Sequence, residues 1–324
     1  MKKTTYTKFI RVVIGPRGFS HFRLGNNWEG RWVYHPQVVQ FGTGYFLFYS
    51  GKTGYKMRHD IGMAKSTDFK IWKRYTKNPI LSPSKQRLLW DSDLVAHGFI
   101  FEKNGVYYMF YDGSPKSMWK EGIGVATSLD LYTWKKYKKN PVLTPGDFWW
   151  DKDHVSRCCV VKSTNSYYYM YYAGHDHRTE RIGVARSKDL FLWEKFVKEP
   201  VLHLGKKDEW DERHISDPRV LKVEKFYLML YTGYDKKARG SIGIAYSTDL
   251  ISWKKFLDNP LIPFGKQGSW NQDESGRADF VKLNNKYYIF FSGRRGKKFS
   301  IGYCQLELKK LVKAIEKDLY AKKH

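Results

Sequence analysis

Residues 61–72 read IGMAKSTDFKIW, and nearly the same twelve letters return as IGVATSLDLYTW at 123–134, IGVARSKDLFLW at 182–193 and IGIAYSTDLISW at 242–253. A fifth, shortened copy, IGYCQLELKK, starts at Ile301. The glycines of the five IG pairs stand at 62, 124, 183, 243 and 302, so the intervals are 62, 59, 60 and 59 residues. A near-constant period of this length is the signature of a repeat architecture. Around each copy the same parts recur. A Trp opens the unit (Trp28, Trp90, Trp150, Trp210, Trp270) and a short apolar run follows. Next comes an aromatic run ending in Gly, as in YFLFYSG and YYMFYDG, then the IGxAxS strand, an Asp-Leu-x-x-Trp corner, and an NPIL-like end.

The runs are β-branched and aromatic, and Gly, Asn and Pro separate them, so each unit reads as four antiparallel strands. Four strands per repeat, arranged radially, make a propeller blade. The expectation is an all-β chain, one five-bladed β-propeller domain over residues 1–324. The last copy lacks a fourth strand; KFIRVVIGP near the N-terminus precedes Trp28 much as NPLIPFG precedes Trp270, and is expected to supply it. A C-terminal helix is expected over about 306–322, where Leu308, Leu311, Val312, Ile315 and Leu319 fall at helical spacing. What recurs in every unit serves the scaffold. The corner Asp (Asp68, Asp130, Asp189, Asp249) is expected to accept backbone N–H groups in an Asx turn, and the corner Trp to pack between blades.

Composition narrows the partners. Aromatic residues make up 17% of the chain, too many for disorder despite 28% charged residues. The formal net charge is +26, which favours anionic partners in general. The loops between second and third strands hold 14 Lys or Arg in 37 residues, against five acids (Asp60, Glu121, Asp176, Glu180, Asp235). Nucleic acid is disfavoured, because the aromatics sit in the repeated strands rather than interleaved with the basic groups. No run approaches the length of a membrane span, and no membrane partner is indicated. The N-terminus has no small-residue cleavage site. Three cysteines, Cys158, Cys159 and Cys304, form neither a disulfide framework nor a zinc pattern. A cytoplasmic location fits these features best. Oligomeric state is not legible.

Positions where the units disagree are the candidate site. Aligned on the opening Trp, one column holds His35, His97, Arg157, Asp217 and Arg277, at the start of the innermost strands. Four residues earlier stand Arg31, Asp93, Asp153, Arg213 and Asp273. Glu274 shares a column with Trp32, Leu94, His154 and His214. Trp119, Trp149 and Tyr55, on or near the loop face, are candidates to stack on a ligand ring or to pack the rim.

The S-x-D-L-x-x-W corners, the N-P-I/V-L strand ends and the D-P-R entry at 217–219 resemble the five-bladed glycoside hydrolase superfamily. That group contains the family 43 arabinanases and xylosidases, the invertases and levansucrases, and the family 130 mannoside phosphorylases. The resemblance runs through Gly302, and SDPRV with SIGIAYSTDLISW looks most like the phosphorylases and the R-D-P segment of invertases. It implies a glycoside hydrolase acting on a carbohydrate, neutral or anionic, at the central cavity; a phosphorylase and a non-catalytic sugar-binding propeller are the alternatives. In such enzymes, carboxylates at inner-strand starts divide the work of acid, base or nucleophile, and orientation of the sugar. Asp217 is the residue carried over by motif. His35 stands where family 43 has its first-blade Asp. Asp93, Asp153, Asp273, Glu274 and Asp279 are the candidates for the remaining carboxylates, with Glu274 favoured as acid because it is unique to its blade. Asp217, Glu274 and Asp93 are therefore assigned to catalysis. His35, His97, Arg157, Asp153, His214, Arg219, Arg277, Asp279 and Trp119 are assigned to substrate. No cofactor and no metal is assigned; a central cation on His35 and His97 is the weaker reading, since a spaced carboxylate set is missing.

Overall fold

The computed structural model describes residues 5–15, 28–52, 58–116 and 120–320. Trp119 and Tyr55 fall outside them. Five inner strands, Trp32–Phe41, Leu94–Lys103, His154–Lys162, His214–Val223 and Glu274–Leu283, open the five repeat units. Each pairs antiparallel with a middle strand, and each middle strand with the IG-bearing third strand. The inner strands touch their neighbours in a closed ring, the fifth against the first. The described residues are thus almost all β, arranged as a propeller, with one helix among them at Leu308–Tyr320. Strand Thr7–Ile14 pairs antiparallel with the last third strand, Lys298–Leu306, so the N-terminus supplies the strand that the fifth unit lacks. The helix begins later than its sequence pattern suggested, because Leu306 is still paired to Tyr287. Its Leu311 and Ile315 are fully buried in the core shared by the fourth and fifth units.

The opening Trp is a wedge. In the second unit Trp90 lies over the glycines of the middle and third strands, Gly113 and Gly124, and a Cβ on Gly124 would stand 2.5 Å from Trp90 Cζ2. Trp90 also packs on Tyr111 with ring centroids 5.5 Å apart, and Trp28, Trp150, Trp210 and Trp270 repeat the arrangement on Tyr49, Tyr172, Tyr231 and Phe291. The acid after the wedge ties inner loop to outer edge: Asp91 accepts Tyr111 Oη at 3.1 Å and Lys136 Nζ at 2.6 Å. Asp151 and Asp211 do the same with Tyr172 and Lys195, and with Tyr231 and Lys255.

The fourth strand is shorter than expected. Only two-residue ladders form (Lys73–Arg74, Lys135–Lys136, Glu194–Lys195, Lys254–Lys255), followed by single bridges at Leu81, Leu143, Leu202 and Ile262. The proline of each NP or EP pair has no N–H to donate. In the three NP pairs the asparagine substitutes: Asn78 Oδ1 accepts the Met63 N–H at 2.9 Å and its Nδ2 donates to Met63 O at 2.8 Å, and Asn140 and Asn259 clamp Val125 and Ile244 alike.

The corners behave as their repetition implied. Asp68 Oδ1 accepts the N–H groups of Lys70 and Ile71 at 2.8 and 2.9 Å, and Asp130, Asp189 and Asp249 repeat this turn. Each corner Trp packs on the middle strand of the preceding unit: Trp134 on Phe48, Trp193 on Phe110, Trp253 on Tyr171, and Trp72 on Phe290 across the closure.

The wedge predicts a paired outcome. Gly124→Ala forces a Cβ into the Trp90 ring and is expected to lower stability by about 2 kcal/mol or more. Gly44→Ala, whose Cβ meets nothing nearer than 3.8 Å, is expected to stay within about 0.5 kcal/mol of the parent. Thermal or denaturant unfolding of the two variants side by side checks this, and equal stabilities would reject the wedge.

Candidate active site at the axis

The column His35, His97, Arg157, Asp217 and Arg277 has one backbone conformation. All five have positive φ, between 52° and 58°. Each sits at a register shift of its inner strand, such as that between Ser216 and Arg219. These are β-bulges, in which one extra residue breaks the ladder and re-aims a side chain. A left-handed non-glycine residue costs about 1 kcal/mol or more, and at four of the five a bond to the neighbouring unit offsets it. The N–H groups of His35, His97 and Arg277 donate to Ser292 Oγ, Ser50 Oγ and Thr232 Oγ1, each at 2.8 Å. The Arg157 N–H donates to both oxygens of Asp112 at 2.9 and 3.0 Å.

The bulges bring these side chains together. The rings of His35 and His97 are 4.8 Å apart, His35 Nε2 lies 3.6 Å from Asp217 Oδ1, and Arg157 Nε lies 3.8 Å from the same oxygen. Asp217 is 1% exposed, and its Oδ2 accepts Ser216 Oγ at 3.0 Å. Burial by itself would raise its pKa. The contact with His35 and the charges of Arg157 and Arg277 outweigh burial and hold it well below the usual carboxylate range. Burial also keeps both imidazoles neutral, with pKa values well below the ordinary histidine value. Asp217 Oδ1, His35 Nε2, Arg157 Nε and Arg277 Nε are buried with no hydrogen-bond partner among the described residues.

Three acids absent from the assigned set join this cluster. Asp112, fully buried, lies 2.5 Å from His97 Nδ1. Burial raises its pKa well above normal, against the hydrogen bond from the Arg157 N–H. Glu180 Oε1 pairs with Arg157 Nη1 at 2.5 Å, and although burial opposes it, this guanidinium lowers the Glu180 pKa. Glu121 is pushed up to about 7, by burial first and then by the charges of Asp112 and Glu180, against Arg157. The backbone N–H groups of Glu121 and Glu180 donate to His154 Nδ1 and His214 Nδ1 at 3.0 and 3.2 Å, so His214 serves the site by positioning Glu180. The signal for all three acids was readable. Asp112 stands in a column of Ser50, Ala173, Thr232 and Ser292, and Glu121 and Glu180 in one of His59, Gly240 and Phe299. Both columns differ between units at the ring's centre, as the bulge column does.

The other assigned residues fall elsewhere. Glu274, 2% exposed, is engaged by Arg277, by Arg294 Nε at 3.0 Å and by Tyr234 Oη at 3.1 Å. It fills the space left by Gly240, where a Cβ would stand 2.5 Å from Glu274 Cγ. Two guanidinium groups suit an anion that fixes Arg277 rather than a proton donor. Asp93 and Asp153 stand just before their inner strands at the rim, their N–H groups donating to Ser114 O and His175 O at 3.0 Å. Four residues of strand put them about 13 Å along the chain from the bulges. Asp153 Oδ1 pairs there with His177 Nε2 at 2.8 Å. Arg219 and Asp279 lie two residues past the bulges and form the floor. Arg219 Nη1 donates to Cys158 O and Pro218 O at 2.9 Å, its Nη2 is 3.4 Å from His35 Nδ1, and its Nε is 3.8 Å from Asp279 Oδ1. Burial pushes the Asp279 pKa up to about 7 despite Arg219. Among the described residues, no three His, Cys, Asp or Glu side chains are grouped to hold a metal ion, and no helix is long and apolar enough to cross a membrane.

A family model described as the glycosyl hydrolases family 32 N-terminal domain matches residues 96–298, and one described as beta-1,4-mannooligosaccharide phosphorylase, family 130, matches residues 20–161. A beta-1,2-mannobiose phosphorylase of Thermoanaerobacter sp. (strain X514) is 26% identical over 179 residues, 49% of this chain and 54% of that protein. A 1,2-beta-oligomannan phosphorylase of the same organism is 27% identical over 48% of this chain and 52% of that protein. The chain thus spans about half the length of the curated relatives it matches. Among solved structures, the beta-1,2-mannobiose phosphorylase from Listeria innocua superposes with a TM-score of 0.75 at 13% identity, covering 95% of this chain and 99% of that one. A thermostable family-43 glycoside hydrolase superposes with a TM-score of 0.68 at 17% identity, covering 84% and 89%. With the family 32 model spanning well over half of its residues, the chain belongs to the family of the glycosyl hydrolases family 32 N-terminal domain, within the propeller-fold glycoside hydrolase superfamily.

Proposed function

We propose that this chain is a carbohydrate-active enzyme, a single five-bladed propeller domain over residues 1–324, that hydrolyses a glycosidic bond at the axial cluster. One observation carries the reading: Asp217 lies against His35, Arg157 and Arg277, whereas Glu121 is partly buried beside Asp112 and Glu180, so two acids of one cluster are biased in opposite directions. Asp217 is held ionised and Glu121 holds its proton up to about neutral pH. Glycoside cleavage needs that division, one carboxyl to protonate the leaving oxygen and one carboxylate to activate water or attack the sugar. Glu121 takes the acid role first assigned to Glu274, and Asp217 keeps the carboxylate role. The axial guanidinium groups of Arg157 and Arg277 already face Glu180, Asp217 and Glu274, which favours a neutral sugar over an anionic one.

Phosphorolysis is the second reading. The unpartnered Nε atoms of Arg157 and Arg277 and the Nε2 of His35 suit an anionic acceptor, and the relatives named above are phosphorylases. Turnover of p-nitrophenyl glycosides and oligosaccharides, measured with and without inorganic phosphate, separates the two. Release in phosphate-free buffer supports the hydrolase, and release only with phosphate replaces it with the phosphorylase.

Asp217→Asn and Glu121→Gln are expected to fold and to lose about 10²–10⁴-fold in kcat; full activity in either variant removes that residue from the mechanism. Glu121 also has a signature that does not depend on substrate. Its pKa is raised from 4.5 to about 7, so the folded chain binds this proton more tightly than the unfolded one. The resulting stability is complete below about pH 4.5 and is lost as pH rises to about 7. Glu121→Gln stays neutral throughout. Its Tm relative to the parent is therefore expected to climb across that window and level off above it, and parallel Tm curves would reject the raised pKa.

A further inference from the structure

Trp149 is 54% exposed, although its neighbour Trp150 is the fully buried wedge of the third unit. The equivalent positions are Leu89, Glu209 and Ser269, so the scaffold does not need an aromatic ring there. The ring is nevertheless held. The Arg181 guanidinium lies 4.7 Å from its centroid, and Arg181 Nη1 is tied to Asp176 Oδ2 at 3.0 Å. Asp176 Oδ1 in turn accepts the N–H groups of Arg178 and Thr179 at 3.1 and 2.8 Å. The indole is thus backed by a fixed cation while half of its surface stays open. Four residues on, Asp153 Oδ1 pairs with His177 Nε2, and Asp153 Oδ2 is buried with no hydrogen-bond partner among the described residues. The two contacts clamp the loop at 146–153 to the loop at 175–181. The residue before Arg181 is Glu180, which pairs with Arg157 in the axial cluster.

We propose that Trp149, Asp153 and His177 form an outer sugar-binding subsite on the rim of the third unit, so that the substrate is an oligosaccharide lying from the axis across this rim. The proposal rests on the reading of the axis as a glycoside-cleaving centre. The C–H face of a pyranose is apolar and stacks on an indole, whereas its hydroxyls need acceptors and donors at the ring edge. Asp153 Oδ2 is the acceptor, and His177, itself exposed, holds Asp153 Oδ1 through Nε2 and offers Nδ1 to a second hydroxyl. Arg181 fixes the indole from below and is a positioning residue.

The test measures binding by titration calorimetry, and kcat/KM where turnover occurs, for β-mannooligosaccharides and arabino-oligosaccharides of increasing length. The full chain is compared with Trp149→Ala and Asp153→Asn, and with Leu257→Ala as a surface control remote from the site. The parent is expected to bind longer chains more tightly than the disaccharide. Trp149→Ala is expected to reduce that advantage about tenfold, Asp153→Asn to reduce it as well, and Leu257→Ala to leave it unchanged. Affinity independent of length in both series overturns the subsite, and so does a Trp149→Ala variant that keeps the parent's preference. Length-dependent binding without cleavage, lost in Trp149→Ala, keeps the subsite and overturns the reading of the axis.

Discussion

Every inner strand carries one residue in the left-handed region, and in four of the five the N–H of that residue donates to a side chain of the neighbouring unit. This bulge joins scaffold and site. Its bond to Ser50, Asp112, Thr232 or Ser292 sets one unit against the next, and its reversed backbone aims the side chain where neighbouring strands converge. Strain of this kind survives only where the surroundings over-determine it. Here the wedge tryptophans behind the strands and the closed ring of inner strands do so. Variation is then free at the bulge side chain itself, because its backbone is held by neighbours that do not depend on its identity.

Charge within the cluster follows from that convergence. Strands meeting at an axis bring Arg157, Arg277, Asp217, Glu180, Glu121 and Asp112 into a small volume that burial makes poorly screened. The groups cannot all be charged at once. Asp217 and Glu180 take the cationic partners and stay ionised, and Glu121 and Asp112, left with burial and like charges, hold protons. The chain-wide excess of +26 is therefore a poor guide to the axis, where carboxylates match the guanidinium groups. Glu121 and Glu180 look from the sequence like rim acids in basic loops, yet each stands beside the next unit's inner strand, where a histidine ring accepts its N–H.

The sequence by itself determined the period, the recurring opening Trp and IG glycines, the Asx corners, the packing of the corner Trp between units, and the loan of the N-terminal strand to the last unit. These are local or repeated features, and a contact made in every unit leaves its letters in every copy. It also marked the bulge column, Asp217 included, as the place where the copies differ. What only the tertiary structure decided is which of the differing residues meet. Glu274 is unique to its unit, but Arg277 and Arg294 engage it as an anion. Asp93 lies at the rim, and Arg219 and Asp279 lie beneath the bulges. Glu180 and Asp112 come from third and middle strands of other units, and Glu121 from the residue just before a third strand. Sequence distance carries no information about such meetings, because closure of the ring places residues tens or hundreds of positions apart within one hydrogen bond. The protonation of each acid then depends on the charges beside it rather than on its own chemistry.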